Sequence, residues 1–203
     1  MNRRTPRRIE RPRLILSEGA EDERFLRTLL RAAGLDPEDF ELLEFGGKHG
    51  LAGFLRTPKL TPGFERVGAV LITVDADQDA QAAFQRVAGA LTRNGLPEPP
   101  GPAHFAGSAP GVAVWVFPDN RSPGCLETLC RRALGSHRLA GCVDGFMGCC
   151  APQDQTQADK AWVYAFLACQ PDPRRRLGEL GPGDLESWDL GAFNGLLNLI
   201  RQM

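Results

Sequence analysis

A chain of 203 residues, 42% apolar and 24% charged, has the make-up of a globular protein able to build its own core. A formal net charge of −1 and a pI near 6.3 argue against a broadly basic protein that coats nucleic acid. No uncharged stretch approaches the ~20 apolar residues needed to cross a bilayer, and there is no hydrophobic signal core at the N-terminus, so a cytoplasmic protein without membrane contact is expected.

The charge is uneven along the chain. Arg3, Arg4, Arg7, Arg8, Arg11 and Arg13 face Glu10 alone at the start. Residues 1–12 therefore read as a basic flexible arm, either a salt-sensitive phosphate contact or a solubilising tail. Leu14 to Leu16 is the first predicted strand, broken by Ser17-Glu18-Gly19-Ala20. A helix over Glu21 to Ala33 follows, with Phe25, Leu26, Leu29 and Leu30 on one face and Gly34 as its stop. This places Glu18 at the carboxyl end of a buried strand and Asp22 in the first turn of the next helix. Phe40 to Phe45 is the second strand, ending at Gly46-Gly47, and Lys48 to Leu55 is a short helix. Residues 57–63 form a Pro-interrupted loop.

Ala69 to Val74 is continuous, apolar and rich in β-branched residues, the signature of a strand covered on both faces. Asp75, Asp77 and Asp79 follow at alternate positions. Such clustered charge repels itself unless a cation is present, and a hard divalent ion is the simplest choice. The competing reading is a solvated loop in which Asp77 or Asp79 caps the next helix. That helix runs from Asp79 to Arg93 on Ala83, Phe84, Val87 and Leu91. After a Pro/Gly-rich loop, Val112 to Phe117 makes the fourth strand. Leu126, Leu129 and Leu134 mark a further helix, with Glu127 in its first turn.

Beyond Gly135 the signals weaken. Residues 141–152 read as irregular, and a helix starting at Asp154 or Thr156 carries Lys160, Trp162, Val163 and Phe166. A last helix covers Gly191 to Ile200. The expected organisation is an α/β core over residues 13–135 with a helical extension, 136–203, packed on the same domain. The six cysteines contain no Cys-x-x-Cys, so they are expected to be small buried thiols in a reducing compartment rather than metal ligands.

Alternating strands and helices, with strands covered on both faces, predict a Rossmann-like, four-stranded, mainly parallel sheet flanked by helices. Ligands of such sheets bind beyond the carboxyl ends of the strands, where strand order switches. Glu18, Asp75 and Asp77 would converge there if strands one and three were neighbours, as in the order 2-1-3-4.

Two segments carry a resemblance. Leu-Ile-Leu-Ser-Glu18-Gly19-Ala-Glu-Asp22 resembles the first motif of Toprim domains, and Val74-Asp75-Ala76-Asp77 resembles their Asp-x-Asp motif, with one strand and one helix between them. The likeness covers about residues 13–134. A further segment, Pro118-Asp119-Asn120…Gly124…Glu127, most resembles the small stand-alone Toprim-like bacterial proteins related to the OLD-family nucleases. The resemblance implies that Glu18 is a general acid/base or metal ligand and that Asp75 and Asp77 bind Mg²⁺ or Mn²⁺. OLD-type members add an acid near the start of the first helix, matched by Asp22. They also have a later carboxylate, for which Glu127 and less directly Asp119 are candidates, and a catalytic lysine, for which Lys160 is best placed. The chain departs from topoisomerases in lacking a tyrosine-bearing cleavage domain, its sole tyrosine being Tyr164. It also lacks the ATPase motif that many OLD relatives fuse to the domain, which leaves room for a separate ATPase or other protein partner. The expected function is metal-dependent cleavage of DNA or RNA. The alternative is a non-catalytic Toprim module that binds a metal or a partner in regulation or assembly.

Overall fold

The computed structural model describes residues 8–48, 50–56, 61–150, 154–173 and 175–203. The expected arm at Arg3, Arg4 and Arg7, and residues 57–60 of the expected loop, lie outside them. The described end of the arm is tacked down: Ile9 is buried and its backbone N–H donates to the Pro62 carbonyl at 2.8 Å.

Four strands, β1 (Arg13–Ser17), β2 (Phe40–Glu44), β3 (Ala69–Asp75) and β4 (Gly111–Phe117), form one sheet in the order β2-β1-β3-β4. All three pairings are parallel, with Leu16 opposite Ile72 and Asp75 opposite Phe117. The first and third strands are therefore neighbours, and the loops leaving them open on the same edge of the sheet.

Side chains alternate between two apolar clusters, as the period of a strand requires. One face carries Ile15, Leu71, Ala113, Trp115 and Phe117. It is covered by α1 (Ala20–Ala32), α4 (Leu126–Ala133), α6 (Gln155–Ala168) and α7 (Asn194–Arg201). The other face carries Leu14, Leu16, Val70, Ile72, Val112 and Val114, covered by α2 (Leu51–Phe54) and α3 (Ala80–Arg93). The α3 N-terminus is capped by Asp79, which accepts from Ala82 N–H at 3.0 Å.

The C-terminal third is part of the same core. Residues 141–147, part of the stretch expected to be irregular, belong to helix α5 (Ala140–Met147), with Ala140 and Val143 buried. Gly141 and Gly145 weaken its intrinsic helix signal, and packing outweighs that cost. Short 3₁₀ turns between Leu177 and Leu185 run along α1: Leu177 N–H donates to Glu21 Oε1 at 3.0 Å, and Thr28 Oγ1 donates to the Leu180 carbonyl at 2.7 Å. Trp188 and Phe193 lie 6.0 and 5.8 Å from Phe25, ring to ring. At Gly195 a β-carbon would come within 2.8 Å of the Trp115 ring, so α7 approaches the sheet as closely as a helix can. The architecture is thus α/β and Rossmann-like, with a helical C-terminal region packed on one sheet face. Among the described residues, no helix is long and apolar enough to cross a membrane.

Candidate metal centre

Three loops meet at the carboxyl edge of the sheet. Glu18 follows β1, and Gly19 then turns the chain into α1, whose third residue, Asp22, accepts from the Gly19 N–H at 3.0 Å. Asp75 is the last residue of β3. Its Oδ1 accepts from Leu126 N–H at 3.0 Å, so the strand-end carboxylate is docked on the N-terminus of α4. Glu127, one residue further along that helix, is 8% exposed. One oxygen each from Asp75 and Glu127, together with the Cys125 sulfur, lie within 4.8 Å of one another.

The electrostatics record how crowded this edge is. Burial, and then the charges of Glu127 and Glu18, push the Asp22 carboxyl up to about 6, against the Gly19 hydrogen bond and Lys160. Burial also pushes Asp75 well above the ordinary carboxylate range, reinforced by Asp22, Glu127 and Glu18. Opposite them, Lys160 Nζ sits 3.7 Å from Glu127 Oε1. Burial works against its charge, but Glu127 and Asp75 outweigh it and raise its pKa, so Lys160 stays an ammonium. It is suited to neutralising negative charge, not to accepting a proton.

Of the residues singled out from sequence, Glu18, Asp22, Asp75, Glu127 and Lys160 thus influence one another electrostatically. Asp77 is engaged elsewhere. Its backbone adopts a left-handed φ of 53°, exchanges two hydrogen bonds with Gly124 (2.9 and 2.8 Å), and its carboxylate pairs with Lys48. Asp119 is committed to a turn. Burial pushes it up, yet hydrogen bonds from Ser122, Arg132 and Arg121 prevail and hold it at about 2.

The spacing of the cysteines does not single out Cys125, because its partner Asp75 lies fifty residues upstream. The expectation of buried thiols holds for Cys125 and Cys130, whereas Cys142, Cys149, Cys150 and Cys169 are exposed. A second unpredicted residue is Asp159, which is 1% exposed and accepts from Thr128 Oγ1 (2.7 Å), Arg131 Nη1 (2.8 Å) and Gln155 Nε2 (2.9 Å). Thr128 Oγ1 in turn accepts from Cys125 N–H at 3.1 Å. A buried anion on α6 therefore fixes the first turn of α4, from which Glu127 and Cys125 project. An isolated acid on a helix gives no sequence signal for such a role.

A family model described as a protein of unknown function, DUF3226, matches residues 12–202. The chain belongs to the DUF3226 family. No curated protein and no solved structure matches it. The matched span of DUF3226 takes in every strand of the sheet, the acidic edge and Lys160, so the centre and the C-terminal region that braces it fall within one family unit.

In this DUF3226 chain the donor chemistry fits a divalent cation. Two carboxylates and a thiol approach within one coordination sphere's reach, two further acids stand nearby, and the charge they accumulate is partly buried. Asp75, Glu127 and Cys125 could hold such an ion, with Asp22 and Glu18 approaching from the β1 side.

Proposed function

We propose that this protein is a divalent-cation-dependent nuclease of the Toprim type, acting on phosphodiester bonds of DNA or RNA with Mg²⁺ or Mn²⁺. The observation that carries the reading is the pairing of Asp75 with Glu127 at the carboxyl edge of a parallel sheet, in a field of like charge that burial intensifies. The Toprim-like motifs around Glu18 and Asp75 support it. A bound cation would supply an activated water and offset phosphate charge. Asp75 and Glu127 are the residues to hold it, with Asp22 completing the acidic wall. Glu18, half-buried at the strand end, would act as the general base that takes a proton from water. Lys160 holds its positive charge beside Glu127 and can stabilise the negative charge that develops on a phosphoryl oxygen. Arg121 is exposed and can draw a polyanion toward the edge. The six free cysteines fit a reducing, cytoplasmic setting.

The test is incubation of the purified protein with single- and double-stranded DNA and RNA, with Mg²⁺, Mn²⁺ or a chelator. Cation-dependent cleavage is expected, reduced by about 100-fold or more in Asp75→Asn. Cleavage that survives both Asp75→Asn and the chelator would overturn the proposal. Cation binding seen by calorimetry without cleavage of any substrate would instead favour the non-catalytic module, a reading to which the neutralisation of Asp77 by Lys48 lends weight.

A further inference from the structure

Cys125 is fully buried, yet it belongs to neither apolar cluster of the core, whereas Cys130 lies inside one of them. The usual explanation of a buried thiol, as a small apolar filler, therefore suits Cys130 and not Cys125. The surroundings of Cys125 are polar: Asp75 and Glu127 oxygens lie within 4.8 Å of its sulfur, and Thr128 Oγ1 is 3.7 Å away. Its backbone is fixed as well, through the N–H to Thr128 Oγ1 and from there to the buried Asp159.

We infer that Cys125 is a third ligand of the cation held by Asp75 and Glu127, and that it makes the centre bind sulfur-tolerant divalent ions such as Zn²⁺ or Co²⁺ more tightly than the Mg²⁺ or Mn²⁺ with which the proposed cleavage runs. The inference rests on the reading of Asp75 and Glu127 as cation ligands and specifies the class of cation. Mg²⁺ takes oxygen donors and keeps its waters, so a dry sulfur in the sphere is a poor match for it. Thiolate favours Zn²⁺ and its neighbours in the first transition row. On binding, the S–H bond of Cys125 breaks, a metal–sulfur bond forms and the proton leaves to solvent, with no electron exchanged. Lys160, facing Glu127, offsets the surplus negative charge of two carboxylates and a thiolate. The chain Cys125 N–H, Thr128, Asp159 presets the sulfur, as outer hydrogen bonds commonly do for metal ligands.

The experiment uses the reduced full chain in which the four exposed cysteines are replaced (C142S/C149S/C150S/C169S), titrated with Co²⁺ and followed by absorption. The expected result is one equivalent of Co²⁺ giving a near-ultraviolet sulfur-to-cobalt charge-transfer band, displaced by Zn²⁺ and not by excess Mg²⁺. Adding C125S should remove the band and weaken Co²⁺ binding by about tenfold or more. X-ray absorption of the Zn²⁺-loaded parent, independent of the folding of any Cys125 variant, should show one sulfur at about 2.3 Å. Visible cobalt bands without the sulfur band, or an oxygen-only zinc shell, would overturn the inference and leave the metal-dependent reading intact. Absence of binding by any of Co²⁺, Zn²⁺, Mn²⁺ and Mg²⁺ would overturn both.

Discussion

Replacing Asp22 with asparagine should make the cation-free protein more stable at neutral pH. Asp22 is pushed from 3.8 to about 6, first by burial and then by Glu127 and Glu18. The native state therefore holds this proton to higher pH than the unfolded chain does. The penalty is absent below about pH 4, develops as pH rises through the window from about 4 to 6, and is constant above it. A shift of about two units corresponds to about 3 kcal/mol. Asparagine removes the charge, and its Oδ1 can still accept from Gly19 N–H, so the local turn survives. Urea unfolding of wild type and D22N across pH 4 to 8 measures this. The two should coincide near pH 4 and diverge to a gain of about 2–3 kcal/mol for the variant at pH 7.5, with unchanged denaturant slope. A saturating divalent cation should close the gap by stabilising wild type. A D22N variant no more stable than wild type at pH 7.5, or a difference that ignores pH, would refute the reasoning.

Two other substitutions probe the brace behind the centre. Asp159→Ala leaves Thr128 and Gln155 without their acceptor, while Arg131 keeps Asp144 at 3.2 Å, so the loss should be about 2–3 kcal/mol, or about 5–10 °C in melting temperature by calorimetry. A shift below about 1 °C would show that the buried acid is not a brace. Gly124→Ala sets a side chain at φ +132°, 2.5 Å from Thr128 Oγ1, and should cost about 1–3 kcal/mol and weaken cation binding in calorimetry. An alanine variant with wild-type stability and affinity would contradict the fit described there.

The elements that define the sheet were legible because burial on both faces leaves an unmistakable trace. The run from Ala69 to Val74 is the clearest, and its last carboxylate, Asp75, sits where such a strand must end. The order β2-β1-β3-β4 then brings Glu18 and Asp22 to the same edge as Asp75. Other parts depend on contacts that no local pattern encodes. Asp77 shares the motif of Asp75, but a left-handed backbone and Lys48 draw it away. Cys125 gains its partner Asp75 from a strand fifty residues upstream, so its spacing from other cysteines is uninformative. Helix α5 was hidden by its glycines, whose intrinsic cost is met by the burial of Ala140 and Val143.

The seating of α7 against Trp115 has a consequence for how the chain is made. The face of β4 that carries Trp115 is covered by residues as far along as Phe193 and Leu197. At ribosomal speeds of about 5–20 residues per second, the interval between synthesis of Trp115 and of Phe193 is on the order of ten seconds. The opposite face, sealed by α2 and α3 from sequence already emerged, can close long before. Until α7 emerges, the Trp115 indole lacks the helix that covers it, although α1 and α4 already lie on the same face, so sealing around Trp115 is the late step in closing this side of the sheet.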